Sequence, residues 1–157
     1  MKFTCTKTNF NNGINIALKA VPGKTTMPIL ECVVIEAKGD MVKLTTNDMQ
    51  LGIETKIPAE IEQDGIILVN AKMISEIVRR LPDDDVNFEV DENNNILLFC
   101  GKSKFNIPGI PHDEFPMLPK IEAAVSFASK GSGHRTIITD IAHARDGYRE
   151  KTGTIIK

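Results

Sequence analysis

Short segments with strand character recur along the first 107 residues, and they constrain the fold more than any other feature of the chain. Met1–Thr6 alternates apolar and polar residues, as a half-buried strand does. Seven further runs are bounded by turn residues and are also predicted as strands: Leu30–Ala37, Met41–Thr46, Leu51–Ile57, Ile66–Val69, Val86–Val90, Ile96–Cys100 and Lys102–Ile107. The short connections, such as Gly39-Asp40, favour antiparallel pairing.

Two segments have helical periodicity instead. The first is predicted to begin near Thr8 or Asn9, either of which can cap it, and to end at Pro22-Gly23. Its core-facing residues recur at helical spacing: Phe10, Ile14, Ala17, Leu18 and Val21. The second helix is predicted over Ala71–Leu81. Two short helices among about eight strands indicate an α+β fold, with both helices packed on one face of antiparallel sheet.

Charge and length limit what the chain can do without identifying it. The formal net charge of -2 gives no overall attraction to nucleic acid, so a surface that binds DNA would need positive charge segregated on one side. The 157 residues, 41% of them apolar, allow one domain with a real core plus a remnant. Composition alone therefore indicates a globular protein and no specific activity.

The cysteines and the hydropathy pattern indicate the cellular compartment in which the protein is expected to work. Cys5, Cys32 and Cys100 form no CxxC pair and lie in apolar surroundings, which favours free, buried thiols in a reducing environment. No apolar run approaches the roughly 20 residues needed to span a bilayer. We therefore expect a soluble cytoplasmic protein that does not bind a membrane.

Five blocks of sequence occur in an order that is specific to one family. They are Lys24–Leu30 (KTTMPIL), Leu44–Thr55 (LTTNDMQLGIET), Ala71–Pro82 (AKMISEIVRRLP), Gly101–Ile107 (GKSKFNI) and Phe115–Pro119 (FPMLP). Together they resemble the first domain of the bacterial DNA polymerase III beta subunit, the sliding clamp. The resemblance is strong as far as about Ile121, so residues 1–120 are predicted to form a clamp N-terminal domain.

Residues 121–157 resemble the family only weakly. Val125–Ser129 alternates like a strand, Arg135–Ala144 has loosely helical spacing, and Arg149–Ile156 is similar to the strand that follows in a second clamp domain. We expect 121–157 to be the incomplete, loosely ordered start of that domain, because so few residues cannot form a core.

The resemblance implies a protein that encircles duplex DNA, as a processivity factor for DNA replication, without making or breaking a bond. It implies no catalytic residue, cofactor or metal. The inner surface of such a ring needs positive charge without base-reading side chains. The residues expected to contact DNA are Asn15, Lys19, Lys24, Lys72, Arg79 and Arg80. The alternative for each is an exposed polar residue that only keeps the surface solvated.

The resemblance also implies a subunit interface at Lys102–Ile107, where the family extends a sheet from one subunit to the next in a homodimeric ring. Alternation places Phe105 and Ile107 on one face, as apolar anchors, and Lys102 and Lys104 on the other. The alternative is an edge strand protected by lysines against unwanted pairing. In the family the polymerase and the clamp loader bind a groove between later domains, and a chain of 157 residues is expected to lack it.

Two other functions are compatible with the sequence. The chain could be a stand-alone module that binds an intact clamp and interferes with ring assembly. It could also be a small thiol hydrolase that uses Cys5, Cys32 or Cys100 with His112 or a later histidine, although the apolar strand patterns around the thiols argue against it. Asp48 is interpreted as a turn residue, and His134 and His143, with Asp140 and Asp146 nearby, lack metal-ligand spacing.

Overall fold

The computed structural model describes residues 1–116 and two short strands further along, Thr136–Ile138 and Thr154–Ile156. The chain divides into two compact units, Met1–Met117 and Leu118–Lys157. In chain order the elements of the first unit are β1 (Lys2–Thr6), α1 (Lys7–Ala17), β2 (Cys32–Lys38), β3 (Met41–Asn47), β4 (Gly52–Pro58), β5 (Glu60–Gln63), β6 (Gly65–Asn70), α2 (Ala71–Arg80), β7 (Asp85–Val90), β8 (Asn95–Cys100) and β9 (Ser103–Pro108).

The order strand, helix, three strands occurs twice in the first unit. The first repeat is β1, α1, β2, β3 and β4, and the second is β6, α2, β7, β8 and β9. The strands form a five-stranded sheet, β5-β1-β7-β8-β9, and a four-stranded sheet, β4-β3-β2-β6, with antiparallel pairing. Each repeat therefore gives its first strand to the sheet of the other repeat, which ties the two into one domain.

The helices contact the sheets through one shared core. Phe10 of α1 meets two aromatic rings of the five-stranded sheet, Phe3 and Phe88, edge-on at centroid distances of 6.1 Å, while those two rings stack at 4.8 Å. On the same helix, Gly13 approaches Leu44 and Ile57 of the four-stranded sheet. Because α1 packs against both sheets, its rotation about its own axis is fixed, and so is the set of residues it exposes.

The first helix begins and ends at other residues than predicted, whereas the second begins at Ala71 as predicted and ends one residue early, at Arg80. Each is capped by the last residue of the preceding strand: the Thr6 hydroxyl accepts from the Asn9 amide, and the Asn70 side chain accepts from the Met73 amide. The predicted caps of α1, Thr8 and Asn9, are therefore wrong. The helix ends at Ala17, before the predicted Pro22-Gly23, and the buried Thr46 hydroxyl donates to the Ala17 carbonyl at 2.6 Å.

The eight predicted strands of the first unit are all present, with ends shifted by a residue or two, so the α+β class is confirmed. The prediction missed β5 because its four residues include only one apolar side chain, Ile61. In the second unit Thr136–Ile138 pairs antiparallel with Thr154–Ile156. The helical spacing predicted around 136–138 is therefore wrong, since three consecutive β-branched residues favour a strand. The expected loose order of 121–157 otherwise lies outside the described residues.

Candidate functional site

The second helix exposes basic side chains along one side. Burial of Ala71, Ile74 and Val78 against the core leaves Lys72, Arg79 and Arg80 exposed, as the helical phase predicts. The two arginines also lie in the last turn, where positive charge interacts favourably with the helix dipole.

Glu76 lies between these basic residues and offsets part of their charge. Its Oε2 is 2.7 Å from Arg79 Nη2 and 3.5 Å from Arg80 Nη2. All three side chains are more than half exposed, so the pairs contribute little to stability. The i,i+3 and i,i+4 spacing of these residues in the sequence could have revealed this arrangement.

The first helix and its exit carry the other predicted DNA contacts. Asn15 is exposed on α1, Lys19 on the 3-10 turn that follows, and Lys24 in the next loop. Lys19, Lys24 and Lys72 have no ion-pair partner among residues 1–116. Because α1 and α2 pack against each other, Asn15 and the basic residues of α2 lie on one helical side of the unit, and Lys19 and Lys24 lie in the segment that follows α1. No hydrogen bond or ion pair within the described residues joins one group to the other.

β9 is one of the two edge strands of the five-stranded sheet, so its outer backbone edge is unpaired within the described residues. Lys104 is exposed, with its Nζ 5.1 Å from the centroid of the Phe99 ring, and Phe105 is partly buried. Two details of the prediction are wrong. Ile107 is only 1% exposed and belongs to the core, so it cannot serve as an exposed anchor, and Lys102 lies in the turn before β9.

Asp48 shapes the tip of the β3–β4 hairpin. One carboxylate oxygen accepts from the Gln50 amide at 2.9 Å and from the Leu51 amide at 2.7 Å. Both bonds favour the charged form, and the one to Leu51, followed by the one to Gln50, lowers the pKa of Asp48. The interpretation of Asp48 as a turn residue is confirmed. Among residues 1–116 no group of three His, Cys, Asp or Glu side chains is arranged to hold a metal ion.

Comparison with known proteins decides the family. Residues 1–119 match the family model described as the N-terminal domain of the DNA polymerase III beta subunit. The chain belongs to this family. The beta sliding clamp of Bacillus subtilis is 40% identical over 130 residues, which are 78% of this chain and 34% of that protein. The beta sliding clamp of Synechocystis is 29% identical over 157 residues, covering 95% of this chain and 38% of that protein.

A solved structure agrees with the beta-subunit fold. The crystal structure of the DNA polymerase sliding clamp from Bacillus subtilis matches with a TM-score of 0.74 at 38% identity, covering 76% of this chain and 34% of that one. The beta-subunit chain described here thus spans a little over one third of the length of the relatives it matches. None of the helices in the described residues has the length and hydropathy of a membrane-spanning segment.

The thiols of this beta-subunit domain are free and buried. Burial, with a smaller effect of Asp85, raises the pKa of Cys5 to about 12. Burial also raises the pKa of Cys32 and of Cys100. Thiols held in the protonated form are poor nucleophiles, so the structure gives the hydrolase alternative no support.

Acid should weaken this domain through two turn carboxylates. Hydrogen bonds from Asn95 lower the pKa of Asp91, as the bonds to Leu51 and Gln50 lower that of Asp48. A lowered pKa in the folded state means that the unfolded chain binds a proton first. The stabilisation is therefore present above the unfolded pKa of about 3.9 and is lost as pH falls through the folded values.

Urea unfolding between neutral pH and pH about 3 measures this effect. Asp48→Asn with Asp91→Asn keeps the acceptor oxygens but removes both charges, and it should flatten the acid limb of the stability profile. Asp64→Asn is the matched control, because Asp64 is exposed and has no hydrogen bond among the described residues. Equal acid limbs for the wild type and the double variant would contradict the prediction.

Proposed function

We propose that the chain forms one segment of a sliding clamp, a ring that encircles duplex DNA and tethers a replicative polymerase without catalysing a reaction. The observation that carries the proposal is the pair of adjoining helices, with exposed basic residues on α2 and in the segment that follows α1, in a domain of the beta-subunit family. The names of the relatives, beta sliding clamp, support the same role.

The helical side of the domain is the surface proposed to face DNA. Its lysines and arginines can offset phosphate charge, and none is held in a rigid network that would fix it on a base edge. Lys19, Lys24 and Lys72 are the strongest candidates because none of them has an ion-pair partner within the described residues. The contributions of Arg79 and Arg80 are reduced by Glu76.

The proposal predicts weak, sequence-independent binding of duplex DNA that salt removes. We expect the chain to bind a short labelled duplex at the weak end of the range of about 10⁻⁴ to 10⁻⁶ M that is typical of non-specific contacts. Lys24→Glu with Lys72→Glu should abolish this binding in a fluorescence anisotropy titration at low salt. Glu76→Gln should raise the affinity severalfold, because it removes a negative charge and releases both arginines.

A matched control has the same change in charge on the opposite face of the four-stranded sheet. Lys38→Glu with Lys56→Glu reverses two exposed lysines beside the Glu36–Lys43 ion pair. This variant should keep most of the DNA binding. If both double variants lose affinity equally, net charge rather than the helical side explains the binding, and the assignment of the DNA-facing surface is wrong.

The free edge of β9 is proposed to continue its sheet into another clamp domain. Support comes from its outermost position and from Lys104, which can meet an acidic partner, with Phe105 as the remaining apolar contact. When the chain is mixed with an intact clamp, the β9 amides should become protected from hydrogen exchange. Unchanged exchange at β9 would count against this interface. Tethering of the polymerase and contact with a clamp loader are proposed for the assembled ring, and we assign neither to a residue described here.

A further inference from the structure

The segment Gly109–Pro116, here called the exit strap, leaves β9 and lies across the four-stranded sheet. Ile110 exchanges both backbone hydrogen bonds with Leu68 of β6, each at 2.9 Å, and the Gly109 amide donates to the Asn94 carbonyl at 2.9 Å. A Cβ at position 109 would lie 2.5 Å from that carbonyl oxygen, so the close approach requires glycine. The strap is therefore held at its start by a short run of backbone contacts.

The strap ends in an aromatic side chain that covers a small apolar cluster. Phe115, which is 6% exposed, packs with Cys32, Val34 and Leu68 on the side of the sheet that faces away from the main core. The main core is a separate and much larger cluster on the other side. The Cys32 thiol is thus buried under the strap, while Cys5 and Cys100 belong to the main core.

Asn47 joins the end of the strap to the β3–β4 hairpin tip. Its side chain is almost fully buried; Nδ2 donates to the Pro116 carbonyl at 2.7 Å and Oδ1 accepts from the Met49 amide at 3.1 Å. One amide group therefore holds two segments that are far apart in the sequence. Loss of either bond leaves a buried polar group without a partner.

The buried hydroxyl of Thr45 favours opening of the strap. It pairs directly with Val34, so its side chain is on the same face as the cluster under Phe115. Its hydroxyl oxygen is buried and has no hydrogen-bond partner in the described part of the chain. If the strap lifts, water can satisfy this hydroxyl, which lowers the cost of opening.

We propose that the exit strap opens and closes as a unit while the rest of the first unit stays folded, and that Asn47 couples this local opening to the hairpin tip. The strap is held by a few hydrogen bonds and one aromatic side chain, whereas the main core buries both sheets and both helices, so the strap has the lower opening free energy. Release would alter where the chain leaves the first unit. Independently of any role on DNA, this gives the domain a built-in conformational switch at its exit.

Thiol alkylation of the full chain tests the proposal, because the three cysteines report on the two clusters separately. The rate at each cysteine is measured by mass spectrometry of peptides in native buffer and in low concentrations of urea. Cys32 should react at least about tenfold faster than Cys5 and Cys100, and its rate should depend less on the urea concentration. Asn47→Ala should raise the Cys32 rate by about another tenfold and leave the ratio of Cys5 to Cys100 unchanged.

Thr45→Val provides the opposite test, because it removes the unpartnered hydroxyl with little change in shape. It should slow alkylation of Cys32 without slowing that of Cys5 or Cys100. Two results would overturn the proposal: reaction of all three cysteines at similar rates with the same urea dependence, or a rise at all three cysteines together in Asn47→Ala. Either would show that Cys32 becomes accessible only when the whole domain unfolds.

Discussion

Phe88→Ala should lower the free energy of unfolding by about 3–5 kcal/mol, the range typical of deleting a fully buried ring. Phe88 is completely buried and contacts Phe3 face to face and Phe10 edge to face. The substitution therefore removes one of the two rings that join α1 to the five-stranded sheet. Because a domain has only about 5–15 kcal/mol in total, we expect the variant to be partly unfolded at 37 °C. Urea denaturation followed by far-UV circular dichroism measures the loss, since the chain has no tryptophan.

Phe99→Ala is the matched control for this measurement. Phe99 lies in the adjacent strand β8, but its ring is partly exposed and meets the Lys104 side chain. Its removal should cost less than about 1 kcal/mol, the contribution of an exposed contact between a cation and a ring. If the two alanine variants were equally destabilised, the three-ring cluster would not be the centre of the core.

Gly13→Val should destabilise the domain by about 2–3 kcal/mol, although valine has the higher helix propensity. A Cβ at this position would lie 2.8 Å from both Ile57 Cγ2 and Leu44 Cδ1. Both neighbours are buried, so neither can move aside, and α1 would have to shift away from the four-stranded sheet. Thermal and urea unfolding of the variant measure the cost.

Asn12→Val distinguishes this steric effect from helix propensity. Asn12 is the exposed neighbour of Gly13 on the same helix, and asparagine and valine have similar propensities. The control should stay within about 0.5 kcal/mol of the wild type. A stable Gly13→Val protein would mean that the gap between helix and sheet can widen without loss, contrary to the close packing seen here.

Much of the fold could be predicted from the sequence, because the signals that mattered were local. Alternation identified the strands from β1 to β9 except β5, whose single apolar residue leaves no pattern to detect. Helical spacing correctly predicted that Lys72, Arg79 and Arg80 are exposed. The exchange of first strands between the repeats could not be predicted, because the pairing of β1 with β7 depends on contacts between distant residues.

The candidate surfaces were predicted less completely for the same reason. Alternation put Ile107 on the correct face of β9, but it could not show that the core covers this face. The role of Asn47 depends on Pro116, which lies far away in the sequence. The pairing of Glu76 with two arginines was also not predicted, although the helical spacing of these residues was sufficient to indicate it.

The exchange of first strands also has a consequence for biosynthesis. Thr6 pairs with Asp85, and Lys2 with Glu89, so the amino-terminal strand has only the short β5 to pair with until the ribosome has released most of the domain. Such non-local pairing slows folding, because the entropy of closing a long loop is lost before the stabilising contacts form. A nascent chain that stalls midway would present β1 without β7 and the β2–β4 sheet without β6, and chaperones would have to protect these exposed edges.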